Sequence, residues 1–181
     1  MSLSPSPQTI QHALLGILQR QPMHGYELHQ HLSDPAGLGL VWHVKQSYVY
    51  SMLTKLEQLN YIEASVEEQA SRPPRKIFRP TEQGAAAHQA WILTPIDHGR
   101  DFRLEFLTKL YSTQSKDTSL ARHLLSVQRT ACRAWLSEQE TETLDLPEDQ
   151  VYDWLVRQFR IGQIQAMLAW LDVCEERLIG A

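Results

Sequence analysis

Cysteine is scarce in this chain, with two in 181 residues, Cys132 and Cys174. Both fall in helical patterns of the second half and have no metal-ligand spacing, so two buried thiols in a cytoplasmic protein are expected, not a disulfide framework. Long apolar runs are missing as well. None approaches the roughly 20 residues that span a bilayer, and no membrane partner is expected. The opening Met1 to Pro7 has no basic region followed by an apolar core, which argues against a secretion leader. There is no glycine-rich phosphate loop, internal repeat or low-complexity segment. Catalytic constellations are lacking too. Cys132 with any histidine is a Cys/His pair by count only, and Glu138, Glu140 and Glu142 sit on a polar helix end like a solvated face. His24, His29, His31 and His43 are close in sequence, but their spacing matches no metal site, and surface or packing roles are expected. The chain reads as a non-enzyme without metal or cofactor.

Positive charge is also short. The formal net charge is −4, which excludes attraction of a whole surface to nucleic acid and leaves the distribution to decide. Residues 1–94 hold seven Lys/Arg and seven Asp/Glu, and residues 95–181 hold ten and fourteen. Within the first half, Arg72, Arg75, Lys76 and Arg79 lie in eight consecutive positions free of acids. A neutral module with one basic tip suits a salt-sensitive DNA binder.

What is present is mostly helical period. Ile10, Leu14, Leu15, Ile17 and Leu18 predict a helix over about 9–20, capped by Ser6 or Thr9 and ended by Gln21-Pro22. Met23 to Leu28 opens a second short helix. A third, over about 46–59, buries Val49, Met52, Leu53, Leu56 and Leu59. Its other face carries Lys45, Gln46, Ser47, Tyr50, Ser51, Thr54 and Lys55, side chains able to bond phosphates and base edges. Asn60 fits a left-handed helix end. Two strand-like runs, 61–66 and 76–78, flank a polar connection through Arg72, Pro73, Pro74 and Arg75. A fourth helix spans about 81–93. A helix with a polar reading face followed by a hairpin with a basic tip is the pattern of a winged helix-turn-helix. Gln46, Ser47 and Tyr48 stand at the helix start, where base edges are met. Lys45, Lys55, Arg72, Arg75 and Lys76 suit phosphates, and Tyr50 either reaches a phosphate or packs beneath the wing.

The second half reads as all helix. One helix is expected over about 100–111 and another over about 118–141, capped by Ser115 or Asp117. Leu146-Pro147-Glu148 is the start signal of a last helix over about 148–178. At ~1.5 Å per residue this helix is on the order of 45 Å long. Val151, Trp154, Leu155, Ile161, Ile164, Met167, Leu168 and Leu171 run along it, and a second copy is the expected partner. The fold class is therefore mainly α. A winged helix-turn-helix of three to four helices and a two-stranded hairpin (1–94) precedes an all-helical dimerisation domain with a long last helix (95–181). Trp91, Trp135 and Trp154 are candidates for an effector pocket, with core or dimer packing as the plainer role.

Several pieces together carry a resemblance. Met23 to Leu28, Tyr50 to Glu57, Arg72 to Gly84 and Arg103 to Tyr111 are similar to the motifs of the PadR family of transcriptional regulators, in the branch with a longer helical C-terminal domain. Ser47 and Asn60 stand where that pattern often has glycine. The resemblance implies a homodimer on a pseudo-palindromic operator of double-stranded DNA, usually as a repressor, with dimerisation through the C-terminal helices and, in some members, release by a small molecule. The competing reading is a winged-helix module used for protein-protein contact.

Overall fold

The computed structural model describes residues 5–69, 72–114 and 118–180, with side chains outside 68–74. Helix α1 is Pro7–Leu18, where Ser6 Oγ accepts the Thr9 amide at 3.1 Å and Pro7 takes the first turn. That placement suits proline, because its missing N–H has no partner there in any case. Strand β1 (Met23–His24) leads into α2 (Gly25–Leu32). A 3-10 turn at Leu38–Leu40 precedes α3 (Gln46–Gln58). Strands β2 (Ile62–Gln69) and β3 (Arg72–Pro80) form the wing, followed by α4 (Glu82–Leu93).

The sheet is antiparallel in the order β1-β3-β2. Two sequence expectations change here. Met23 and His24 do not open the second helix. They pair with Phe78 and Ile77 and turn the hairpin into three strands. Arg72 to Arg75 are part of β3, not of a connection. The two prolines are tolerated because they fall between the pairs Glu67–Arg75 and Gln69–Arg72, where the register shifts and the ladder is interrupted, so a missing N–H breaks no ladder bond.

Leu14, Leu18, Leu28, Leu32, Leu38, Val49, Leu53, Leu56, Ile62 and Phe78 form one buried cluster under α3 and the wing. At about 2 kcal/mol per fully buried aliphatic side chain, this cluster dominates the unit's stability. The end of α3 is closed as expected: Asn60 has φ 55°. Tyr61 N donates to Leu56 O at 2.9 Å and Asn60 N to Glu57 O at 3.0 Å, the bond pair of a left-handed helix cap.

The chain resolves into two compact units. The first takes everything up to Ile92 and also Phe102–Ser112, and the second is Leu93–Asp101 with the chain from Thr113 onward. The helix expected over 100–111 is a 3-10 turn (Gly99–Asp101), a π-helical turn (Phe102–Phe106) and α5 (Leu107–Ser112). Its side of the first unit holds an unusual polar core. Lys109, 1% exposed, pairs with Glu105 at 2.9 Å and lies 4.9 Å from the centre of the Trp91 ring. Trp91 stacks on His12 at 4.7 Å, with His88 beside them.

The second unit is built on α6 (Ser119–Leu144) and α7 (Val151–Ile179). Arg129 on α6 binds Asp172 and Glu175 at 2.9 and 2.6 Å, while Glu142 meets Arg157, so the two helices run antiparallel. Buried Gln128 accepts the Ile96 amide at 2.9 Å and ties residues 93–101 to α6. Cys132 and Cys174 are free, buried thiols. The proposed caps Ser115 and Asp117 lie outside the described residues. Pro147 starts a turn closed by Gln150 N to Pro147 O at 3.1 Å, and the last helix begins at Val151 and not at Glu148.

Candidate nucleic-acid interface

The start of α3 presents Lys45, Gln46 and Ser47 to solvent, and no side chain caps it. Tyr48 is half-buried and packs against the core cluster, so only part of its ring is open. Further along, Tyr50, Thr54 and Lys55 are exposed. The hydroxyls are partly engaged, since Ser51 Oγ donates to Tyr48 O at 2.8 Å and Thr54 Oγ1 to Tyr50 O at 3.2 Å. Their lone pairs remain open as acceptors. Tyr50 is 44% exposed and lies directly over Gly25, where an added Cβ would come within 2.7 Å of its ring. The ring thus packs over the start of α2 and lines the cleft that Arg75 and Lys76 share.

Helix α2, helix α3 and strand β3 together enclose a cleft of about 480 Å³. Its lining includes His24, Tyr26, Tyr50, Thr54, Arg75 and Lys76. Arg75 is exposed and has no ion-pair partner among the described residues, whereas Lys76 meets Glu57 at 3.2 Å and Arg79 meets Glu63 at 2.7 Å. The side chain of Arg72 lies outside the described residues.

Two residues read as bland in the sequence gain positions here. His24 faces the Lys76 carbonyl through Nδ1 at 3.1 Å and the Glu67 carboxylate through Nε2 at 3.5 Å, while its amide donates to Glu27 at 2.9 Å. It thus ties α2 to both long strands. His29 Nε2 lies 3.0 Å from Val44 O and braces the loop before α3. Their value comes from strand pairing and loop packing, which have no local sequence signal. Glu57 was legible only as a residue of the recognition helix.

The helix and pocket candidates of the second half divide. Ile161, Ile164 and Leu171 are buried within the single chain, with Met167 and Leu168 partly so, while Val151, Trp154 and Leu155 are exposed. Tyr152 and Phe159 join the exposed group. Tyr152, Leu155 and Phe159 recur at i, i+3 and i+7, a spacing visible in the sequence but masked by the stronger stripe beside it. Trp91 belongs to the polar core of the first unit. Trp135 lines a cavity of about 580 Å³ in the second, with Arg100, Glu138, Arg160, Gln163 and Met167 among its neighbours. Trp154 lies on the open face of α7.

A three-helix core, a recognition helix with an open polar start and a three-stranded wing define a winged helix-turn-helix protein. Comparison with known proteins identifies it more closely. Residues 14–90 match the model of the transcriptional regulator PadR-like family, and residues 102–178 match that of the virulence activator alpha C-terminal domain. The chain thus carries a PadR-like transcriptional-regulator region over 14–90, followed by this C-terminal domain. A probable transcriptional regulator of Mycobacterium tuberculosis is 30% identical over 97 residues, 54% of this chain and 50% of that protein, so the match spans half of that relative's length. The negative transcriptional regulator PadR of Bacillus subtilis is 24% identical over 131 residues, 72% of this chain and 71% of that protein. Both relatives are named as regulators and not as enzymes. Among solved structures, B. subtilis PadR in complex with operator DNA is similar at 20% identity and a TM-score of 0.47, covering 93% of this chain and 98% of that one. The Vibrio cholerae virulence activator AphA is similar at 20% identity and 0.42, covering 93% and 97%. Among the described residues, no helix is long and apolar enough to cross a membrane.

Proposed function

We propose that this chain is a homodimeric repressor that binds a pseudo-palindromic operator and is released by a small-molecule effector. The observation that carries the reading is the open start of α3 beside a wing whose Arg75 has no carboxylate partner among the described residues. Gln46, Ser47 and Tyr48 read base edges, and the uncapped N–H groups at the helix start suit a phosphate oxygen. Lys45, Lys55, Arg75 and, on the wing, Arg72 and Lys76 serve the DNA backbone. The repressor sense rests on likeness to a protein named a negative regulator. The Trp135 cavity has a volume in the small-molecule range and is the seat assigned to an effector.

A gel-shift titration with the chain's own upstream DNA tests the whole reading, and absence of a specific shift at low salt would favour the protein-protein module. Arg75→Ala is expected to weaken binding to every DNA sequence. It should also flatten the dependence of log K on log salt by about one charge. Equal affinity and slope in the variant would remove the wing from the interface.

Dimerisation is assigned to α7. The exposed stripe of Tyr152, Leu155 and Phe159, 76%, 53% and 65% open, is a surface that water covers poorly. Phe159 lies roughly 160° around the helix from Ile161, which is buried within the second unit, so the stripe turns away from the face already covered. Leu155→Glu with Phe159→Glu should keep the protomer's helicity, halve the sedimenting mass and weaken operator binding about 100-fold by loss of the second half-site. A variant that still sediments as a dimer would place the interface elsewhere.

A further inference from the structure

Lys76 is held at two points. His24 Nδ1 lies 3.1 Å from its carbonyl, and its ammonium donates to both oxygens of Glu57 at 3.2 and 3.5 Å. Glu57 belongs to the last turns of α3 and Lys76 to β3, and both line the cleft shared with Tyr50, Thr54 and Arg75. Two carboxylate oxygens on one ammonium reproduce what a DNA phosphate would offer it. Arg79 is paired too, its Nε donating to one oxygen of Glu63 at 2.7 Å. Of the wing cations with described side chains, Arg75 alone lacks such a partner among the described residues.

We infer that Glu57 competes with DNA phosphate for Lys76, and so suppresses binding to non-specific DNA while leaving discrimination to the start of α3. This rests on the DNA-binding reading above. Side chains of the pair are 57% and 30% exposed, so it is a surface ion pair and weak enough for a tightly docked complex to open. A loosely held, non-specific complex gains little from Lys76. An ammonium already neutralised by its own chain has few condensed counterions to displace on the DNA, and that release is the source of non-specific affinity. The carboxylate also sets a negative charge beside the approaching backbone.

The test uses the full chain with a random-sequence duplex and with its operator, across a salt series. Glu57→Gln should tighten non-specific binding about 5-fold at ~0.1 M salt and steepen the salt slope by about one, with a smaller change on the operator, so the specificity ratio falls. Glu57→Gln with Lys76→Gln should abolish the gain. Lys76→Gln alone should leave the non-specific slope nearly unchanged, unlike Arg75→Ala. Unchanged non-specific affinity in the first variant, a gain that survives in the double variant, or a slope loss in Lys76→Gln matching that of Arg75→Ala would each overturn the inference. Wild type that binds no DNA removes the underlying reading together with it. Wild type that binds DNA with Glu57→Gln indistinguishable from it removes the inference alone.

Discussion

Gly84→Ala is expected to destabilise the winged unit by about 3 kcal/mol or more and to lower its melting temperature by roughly 10 °C or more. A Cβ at this position would sit 1.9 Å from Tyr61 O, 2.7 Å from Tyr61 C and 2.9 Å from its Cα. These are backbone atoms, and they are tied from every side. Thr81 N donates to Tyr61 O at 3.0 Å, Thr81 Oγ1 to Asn60 O at 2.6 Å, and Tyr61 N to Leu56 O. Thr81 Oγ1 also accepts the Gly84 amide at 3.1 Å, which fixes the first turn of α4 against the end of α3. No flexible side chain can give way, so relief requires breaking the α3 cap, the α4 cap or the root of the wing. Since a domain of this size is stable by only about 5–15 kcal/mol, the loss is a large share. Denaturant titration followed by circular dichroism reads it directly. An alanine variant with the wild-type midpoint would mean that the close approach is absent in solution.

Acid should be the second strong stress. His12 and His88 are buried beside each other in the first unit and leave their Nδ1 atoms without a hydrogen-bond partner. Burial holds the pKa of each down from 6.5 to about 4, with the Lys109 charge adding to the effect on His12 and the His12 charge to that on His88. Lowered folded values mean that the unfolded chain takes up protons first as pH falls. Stability is therefore complete above the unfolded value near 6.5 and is lost as pH drops from there toward 4. Each histidine can contribute about 1.4 kcal/mol per pH unit across that window, an upper bound on the order of 3 kcal/mol per site. The two are coupled, so the pair amounts to less than twice that. Denaturant midpoints at pH 7.5 and 5.0 should differ clearly in the wild type. His12→Phe, which keeps a ring against Trp91 without a proton to gain, should show a flatter profile. Parallel profiles for the two proteins would assign the acid sensitivity to other groups.

These two cases differ in what the sequence shows of them. Gly84 belongs to the Arg72 to Gly84 stretch that resembles the family pattern, so its position is legible although its contact with Tyr61 is not. His12 reads as one polar residue in an apolar helix, and nothing local pairs it with His88, Trp91 and Lys109, which lie up to 97 residues away along the chain. The same division holds at the surface proposed to face DNA. The open polar face of α3 follows from a period of 3.6 residues, and the left-handed Asn60 from the chemistry of helix ends. The third strand, the His24 bridge and the Glu57–Lys76 pair come from contacts across the sheet. Strand pairing has no period that a two-residue strand could display.

The winged-helix class, the helix that presents a polar face, the basic wing and the apolar stripe of α7 were legible in the order of the residues alone. All of these are short-range: they depend on side-chain periodicity, turn chemistry and local charge. Tertiary structure decided which wing cation stands without a carboxylate, where Tyr50 rests, that Phe102–Ser112 folds with the first unit, and which face of α7 is already covered. Those outcomes depend on residues far apart in the chain competing for the same space and the same charge, and only the folded chain brings them together.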